Sequence, residues 1–165
     1  MRTGGILALL GGIISLVGTF VLTFYEFAAY GIIGSGIGLL LSVGEIFALA
    51  AYYGWIVYLF EILFLILIWG GVLQIIGAKV RALAIIGALF AIILAVFHII
   101  IALMGYSLPL DVLQAAFFFS GQTGAFPMHV PVGDYVVPAG TAGLGIYFLL
   151  GGGVLAFVGG VMPRD

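Results

Sequence analysis

Four apolar runs, each as long as a bilayer is thick, constrain this chain more than any other feature. They are Gly5–Tyr25, Trp55–Gly77, Ala82–Met104 and Thr141–Met162. A membrane-crossing helix needs about 20 apolar residues, and each run meets that length. Aromatic residues stand at several of their ends, namely Tyr25, Trp55, Tyr106 and Tyr147, where interfacial anchors belong. Only 6% of residues are charged, against about 25% in a soluble domain. The sequence therefore predicts an all-α integral membrane protein: a single membrane domain over residues 1–165, built as a four-helix transmembrane bundle and multi-pass in the cell membrane.

The positive charges orient it. Arg2 precedes the first run, Lys79 and Arg81 lie between the second and third, and Arg164 follows the last. With four crossings all of them fall on one side, which is the cytoplasmic side by the excess of Lys and Arg found there. Both termini are then cytoplasmic. The run after Arg2 exceeds the apolar region of a cleaved signal peptide, so it reads as an uncleaved first span.

A fifth stretch, 31–51, reads GIIGSGIGLLLSVGEIFALAA and is also long enough to cross. A crossing there would put Arg2 opposite the other three basic residues, so it is expected to remain on the outer side as a partly helical apolar segment. Its Gly-rich first half is a poor helix former, since each Gly costs about 1 kcal/mol relative to Ala. Its second half is better. Residues 105–140 form a second outer segment, rich in Gly and Pro. In it SLPLDVLQAAFFF suggests a short helix, and Pro127, Pro131 and Pro138 argue against regular helix beyond.

Composition excludes much. There is no cysteine, hence no disulfide, thiolate metal site or cysteine nucleophile. Asparagine is also absent, and depletion of thermolabile residues suits a thermophile. No basic patch is present for nucleic acid. Walker, HExxH, GxSxG and potassium-filter motifs are missing, so no enzyme and no cofactor are expected. Glu26, Glu45, Asp111, His129 and Asp134 fall on the outer side, but His129 and Asp134 lack the spacing of a metal site.

Two ionisable residues lie inside spans. Glu61 is six residues after Trp55 and His98 seven before Gly105, so both sit roughly 10 Å below the outer boundary. Their spans are joined by a short turn and should be antiparallel neighbours. A Glu61–His98 polar pair follows as a candidate, either a structural contact or half of a proton or cation path. Small residues mark the first and last spans: Gly11, Gly12, Ser15 and Thr19 on one, Gly152, Ala156 and Gly160 on the other. Such faces let helices approach closely in lipid.

Four spans with both ends inside is a layout similar to that of claudins and tetraspanins. Their cysteine pairs and GLW-type motif are missing here, so the layout carries no function over. The expected function is that of a structural or assembly protein, contacting lipid and packing through its apolar outer segments into a homo-oligomer or with other membrane subunits. The alternatives are an oligomeric channel or transporter component lined by Glu61 and His98, and an anchor subunit of a respiratory-type complex.

Overall fold

The first apolar run becomes helix α1, Thr3–Phe20, in a computed structural model that describes residues 3–27, 31–104, 117–122, 127 and 141–163. Then follow strand β1 (Tyr25–Phe27), strand β2 (Ile32–Gly34) and helices α2 (Gly36–Tyr53), α3 (Trp55–Leu67), α4 (Gly70–Gly77) and α5 (Arg81–Met104). Strand β3 (Phe119–Gln122), strand β4 (Thr141–Ala142) and helix α6 (Leu144–Val161) complete the order. The fold is mostly helical. Four stretches are long and apolar enough to cross a membrane: α1, α3 with α4, α5, and α6.

Glycine spacing dictates how α1 and α6 meet. Gly4, Gly11 and Gly18 recur every seven residues on α1, as do Gly145, Gly152 and Gly159 on α6. The helices run antiparallel and pair these glycines end to end. A Cβ added at Gly11 would lie 2.5 Å from the Gly152 carbonyl oxygen, and one at Gly152 would lie 2.6 Å from that of Gly11. Gly4 stands in the same reciprocal relation to Gly159, and Gly18 to Gly145. A strict seven-residue period keeps such a seam in contact when two helices wrap left-handedly. Helices α4 and α5 repeat the device, with Gly70 against Gly87 and Gly77 against Ala84.

One end of the bundle gathers the start of α1, the turn at Ala78–Val80 and the end of α6. Arg81 fixes it: its Nε donates to the Gly160 carbonyl (2.6 Å) and its Nη2 to that of Val161 (2.7 Å). A cation here satisfies the orphan carbonyls of the last turn of α6 and opposes its dipole.

The other end carries a feature that corrects the all-α expectation, a four-stranded antiparallel sheet in the order β3-β2-β1-β4. Helix α1 stops at Phe20, short of Tyr25, because the next residues are VLTFYEF. β-Branched and aromatic side chains suit a pleated surface better than a helix. Tyr25 lies opposite Gly34, and its ring occupies the space where a side chain at residue 34 would stand. The sheet ties helices together: Gly145 N donates to Thr23 O (2.9 Å), Gly143 N to Phe24 O (2.8 Å) and Ser35 N to Phe118 O (2.8 Å). The last span likewise begins as helix at Leu144, because Thr141–Ala142 pairs with β1.

The stretch 31–51 divides near its expected middle into β2 and most of α2. Gly31 supplies a positive φ of 61° before β2. Helix α2 starts beside Thr19, at the sheet end of α1. It ends at Gly54, whose φ of 86° turns the chain directly into α3. From there α3 and α4 run back to the basic end, so both ends of α2 lie on the sheet side. The span 55–77 is interrupted at Ile68–Trp69: Trp69 N reaches Ile66 O (3.3 Å) in a tighter turn, just before the pair Gly70–Gly71, a usual place for a kink. Of the expected 105–140 segment, Phe117–Phe118 are helical, where SLPLDVLQAAFFF suggested the end of a helix, and Phe119–Gln122 form a strand that the sequence did not suggest. Residues 107–116, the earlier part of that expected helix, lie outside the described residues.

The packing is inside-out relative to a soluble protein. Ala8, Ala84, Ala88, Ala91, Ala95 and Ala156 are fully buried, while Ile6, Leu10, Ile93, Leu103 and Val158 face outward. Where lipid is the solvent, burying large apolar groups confers little, and close backbone approach confers more. Gly11→Ala and Gly152→Ala should therefore each destabilise the protein by about 1–3 kcal/mol through overpacking. Gly151, with nothing within 4 Å, is the control: Gly151→Ala should be neutral or stabilise by roughly 0.5–1 kcal/mol. Thermal unfolding in detergent checks both. Equal effects at residues 151 and 152 would refute the seam.

Candidate functional site

Polar side chains enter this core at two levels. At mid-bundle, Gln74 of α4 is fully buried and bridges three helices. Ser15 Oγ donates to its Oε1 (3.0 Å), and its Nε2 donates to the Gly87 carbonyl on α5 (3.0 Å). The missing side chain at Gly87 lets the amide in: a Cβ there would sit 2.8 Å from the Gln74 backbone nitrogen. Thr19 Oγ1 closes on its own helix, donating to Ser15 O (2.8 Å). Every polar atom of the bridge is satisfied, as low-dielectric burial demands.

The second level lies nearer the sheet. His98 on α5 is enclosed by aromatic rings: Phe118 at 4.7 Å, Phe24 at 4.9 Å and Phe97 at 5.3 Å between centroids. Its Nδ1 lies 2.9 Å from the Leu94 carbonyl. A carbonyl only accepts, so Nδ1 carries the proton. In the neutral ring Nε2 then presents a lone pair, and it has no hydrogen-bond partner. Phe64 of α3 sits 5.0 Å from Phe118 and 5.2 Å from Phe97. One helical turn from Phe64, on the same buried stripe with Val57 and Leu67, is Glu61. Its side chain is fully buried and neither carboxyl oxygen has a partner.

The two ionisable residues expected to pair have no direct hydrogen bond between them: His98 lies among the rings, and Glu61 is buried one helical turn from Phe64. The other singled-out residues divide by direction. Gly11, Gly152 and Ala156 lie on the α1–α6 seam, with Ser15 both on that seam and in the Gln74 bridge. Gly12 faces Gly71 and Ile75 of α4, Gly160 faces Ile85 of α5, and Thr19 meets Gly36 at the start of α2. Glu26 pairs in β1 opposite Ile33, and Glu45 lies on the exposed side of α2. Asp111, His129 and Asp134 lie outside the described residues. Sequence reasoning missed Gln74, although a lone amide inside an apolar run was a signal. It also missed the rings of Phe24, Phe64 and Phe118, which no spacing in the chain relates.

Chemically, the mid-bundle bridge is closed and the outer layer is not. Among the described residues, the buried side-chain polar atoms without a hydrogen-bond partner are both Glu61 carboxyl oxygens, His98 Nε2 and Thr23 Oγ1. Comparison of the chain with protein-family models, with curated proteins and with solved structures finds no match.

Ser15→Ala should cost about 1–3 kcal/mol by leaving Gln74 Oε1 without its donor. Adding Gln74→Met, which removes the orphan, should recover part of that loss. A double-mutant cycle of unfolding in detergent reads the coupling, and strict additivity would contradict the bridge.

Proposed function

We propose that this chain is a structural or assembly protein of the cell membrane. It crosses four times with both termini cytoplasmic, and it packs through its apolar outer half into a homo-oligomer or a larger membrane complex. One observation carries the reading. The α2–α3 hairpin leaves its apolar, aromatic tip uncovered, with Tyr52, Tyr53 and Trp55 exposed by 86%, 72% and 72%. Leu41 on the outward side of α2 is equally bare at 76%. Contiguous apolar surface beyond a few hundred Å² marks contact with protein or membrane. The position of Lys79 and Arg81 beside the ends of α1 and α6 supports the orientation.

A transport path is less well supported. Among the described residues, the buried positions from Gln74 to the basic end are glycines and alanines, among them Gly4, Ala8, Gly12, Gly77, Ala84, Ala156 and Gly160. They offer nothing polar through which an ion could continue.

Two measurements test the proposal. In intact cells a membrane-impermeant maleimide should label Tyr53→Cys and spare Ala78→Cys, and labelling of Ala78→Cys from outside would overturn the orientation. Native mass in mild detergent should exceed that of one chain, and a lone monomer with nothing co-purified would overturn the assembly role.

A further inference from the structure

Glu61 stands on the inward stripe of α3 with Val57, Phe64 and Leu67. It is fully buried, and neither of its carboxyl oxygens has a hydrogen-bond partner. An unpaired carboxylate in such a place costs far more than a neutral acid, because nothing replaces the water it leaves. The packed position of α3 therefore suits the protonated side chain and not the ionised one.

The span that carries Glu61 is secured differently below and above its break. Below, α4 is locked by backbone contact at Gly70, Gly71 and Gly77 and by the Gln74 bridge. At the break the ladder of α3 ends with Ile68 N donating to Phe64 O (3.0 Å). Trp69 N then donates to Ile66 O (3.3 Å), and the ladder resumes with Leu73 N to Trp69 O (3.1 Å). Above, α3 is held by rings. Phe64 lies 5.2 Å from Phe97, 5.4 Å from Phe117 and 5.0 Å from Phe118, and Tyr58 lies 5.4 Å from Phe47 of α2. Such contacts lose little when acyl chains replace them, since lipid is as apolar as the core. A buried carboxylate gains much by moving toward the interface.

We propose that Glu61 is a proton-dependent latch on the outer half of the bundle. With its proton, the side chain lets α3 pack against α5 and Phe117–Phe118. When the carboxyl O–H bond breaks and water takes the proton, the carboxylate drives α3 off that layer, and the break at Ile68–Trp69 takes up the movement. The base of α2 stays tied by Ser35 N to Phe118 O (2.8 Å) and Ser42 Oγ to Phe117 O (3.3 Å), so the displacement is confined to α3 and the outer end of α2. The other titratable groups on the surrounding elements are His98 of α5, Tyr25 and Glu26 of β1, Glu45, Tyr52 and Tyr53 of α2, Tyr58 of α3 and Tyr147 of α6. None of them is hydrogen-bonded to Glu61. Asp111, His129 and Asp134 lie outside the described residues. The latch stands apart from the assembly reading, and either can fail alone.

The test uses the purified full chain in lipid nanodiscs, over a pH series at constant ionic strength. The sequence has no cysteine, so spin labels on Leu59→Cys of α3 and Leu103→Cys of α5, both exposed positions, report the distance between these helices alone. Infrared spectra of the unlabelled chain follow the C=O band of a protonated carboxyl. At neutral pH the band should be present in the wild type and missing in Glu61→Gln. As pH rises the band should vanish and the label distance lengthen with one common midpoint. Glu61→Gln, neutral at every pH, should keep the short distance throughout. Lack of the band at neutral pH overturns the latch. So does a distance that stays fixed while the band vanishes, or a band that persists to the pH at which the chain unfolds. Lengthening that survives in Glu61→Gln overturns it too. Should Glu61→Gln fail to fold, the wild type decides: separate midpoints for band and distance refute the proposal.

Discussion

Backbone-to-backbone contact between α1 and α6 is the constraint on which the rest of the structure depends. Without side chains at residues 4, 11 and 18, or at 145, 152 and 159, the two helices approach until carbonyl oxygens occupy the space a Cβ would need. At that distance Cα–H groups and carbonyls meet directly, adding weak hydrogen bonds to dispersion. Because the contact runs the length of both helices, it fixes their register. Register then brings Phe20 and Leu144 to one level, where the chain leaves one helix and enters the other through paired strands. The sheet is a consequence of that alignment: β1 and β4 are the exit and the entry, laid side by side.

The second helix pair hangs on the first. Gly12 opens α1 to Gly71 and Ile75, and Gly153 and Gly160 open α6 to Ile92 and Ile85. Each helix of the seam thus carries two glycine faces offset by one residue, about 100° around the axis, one for its partner and one for α4 or α5. The hydrogen-bonded bridge through Gln74 sits where three of these helices converge. Its placement matches the general use of polar groups inside membranes, where they specify pairing more than they add stability. Above it the core changes character. Large aromatic rings replace glycine and alanine, and α3 leaves α5 at the Ile68–Trp69 break, so this is the region that admits Glu61 and His98.

The sequence made the helical framework legible because span length and charge placement are one-dimensional properties. The four runs, the turn at Ala78–Val80 and the division of 31–51 into a non-helical and a helical half follow from composition and spacing. The strands were not legible. VLTFYEF, IIG and FSGQ are each too short to show alternation, and they pair across separations that no local pattern encodes. The break at Trp69 was hidden for a related reason, since an apolar run keeps its hydropathy through a kink. For the candidate site, helical depth alone suggested Glu61 and His98 as neighbours. Whether they touch depends on helix rotation and on Phe118, which arrives from a distant segment and stands between the two helices.

The pairing of α1 with α6 admits a direct measurement. In perdeuterated protein with protonated glycine, interhelical Hα–Hα nuclear Overhauser contacts are expected for three pairs: Gly4 with Gly159, Gly11 with Gly152, and Gly18 with Gly145. Absence of all three contacts, or contacts joining Gly4 to Gly145 as a parallel arrangement would, contradicts the seam and the architecture built on it.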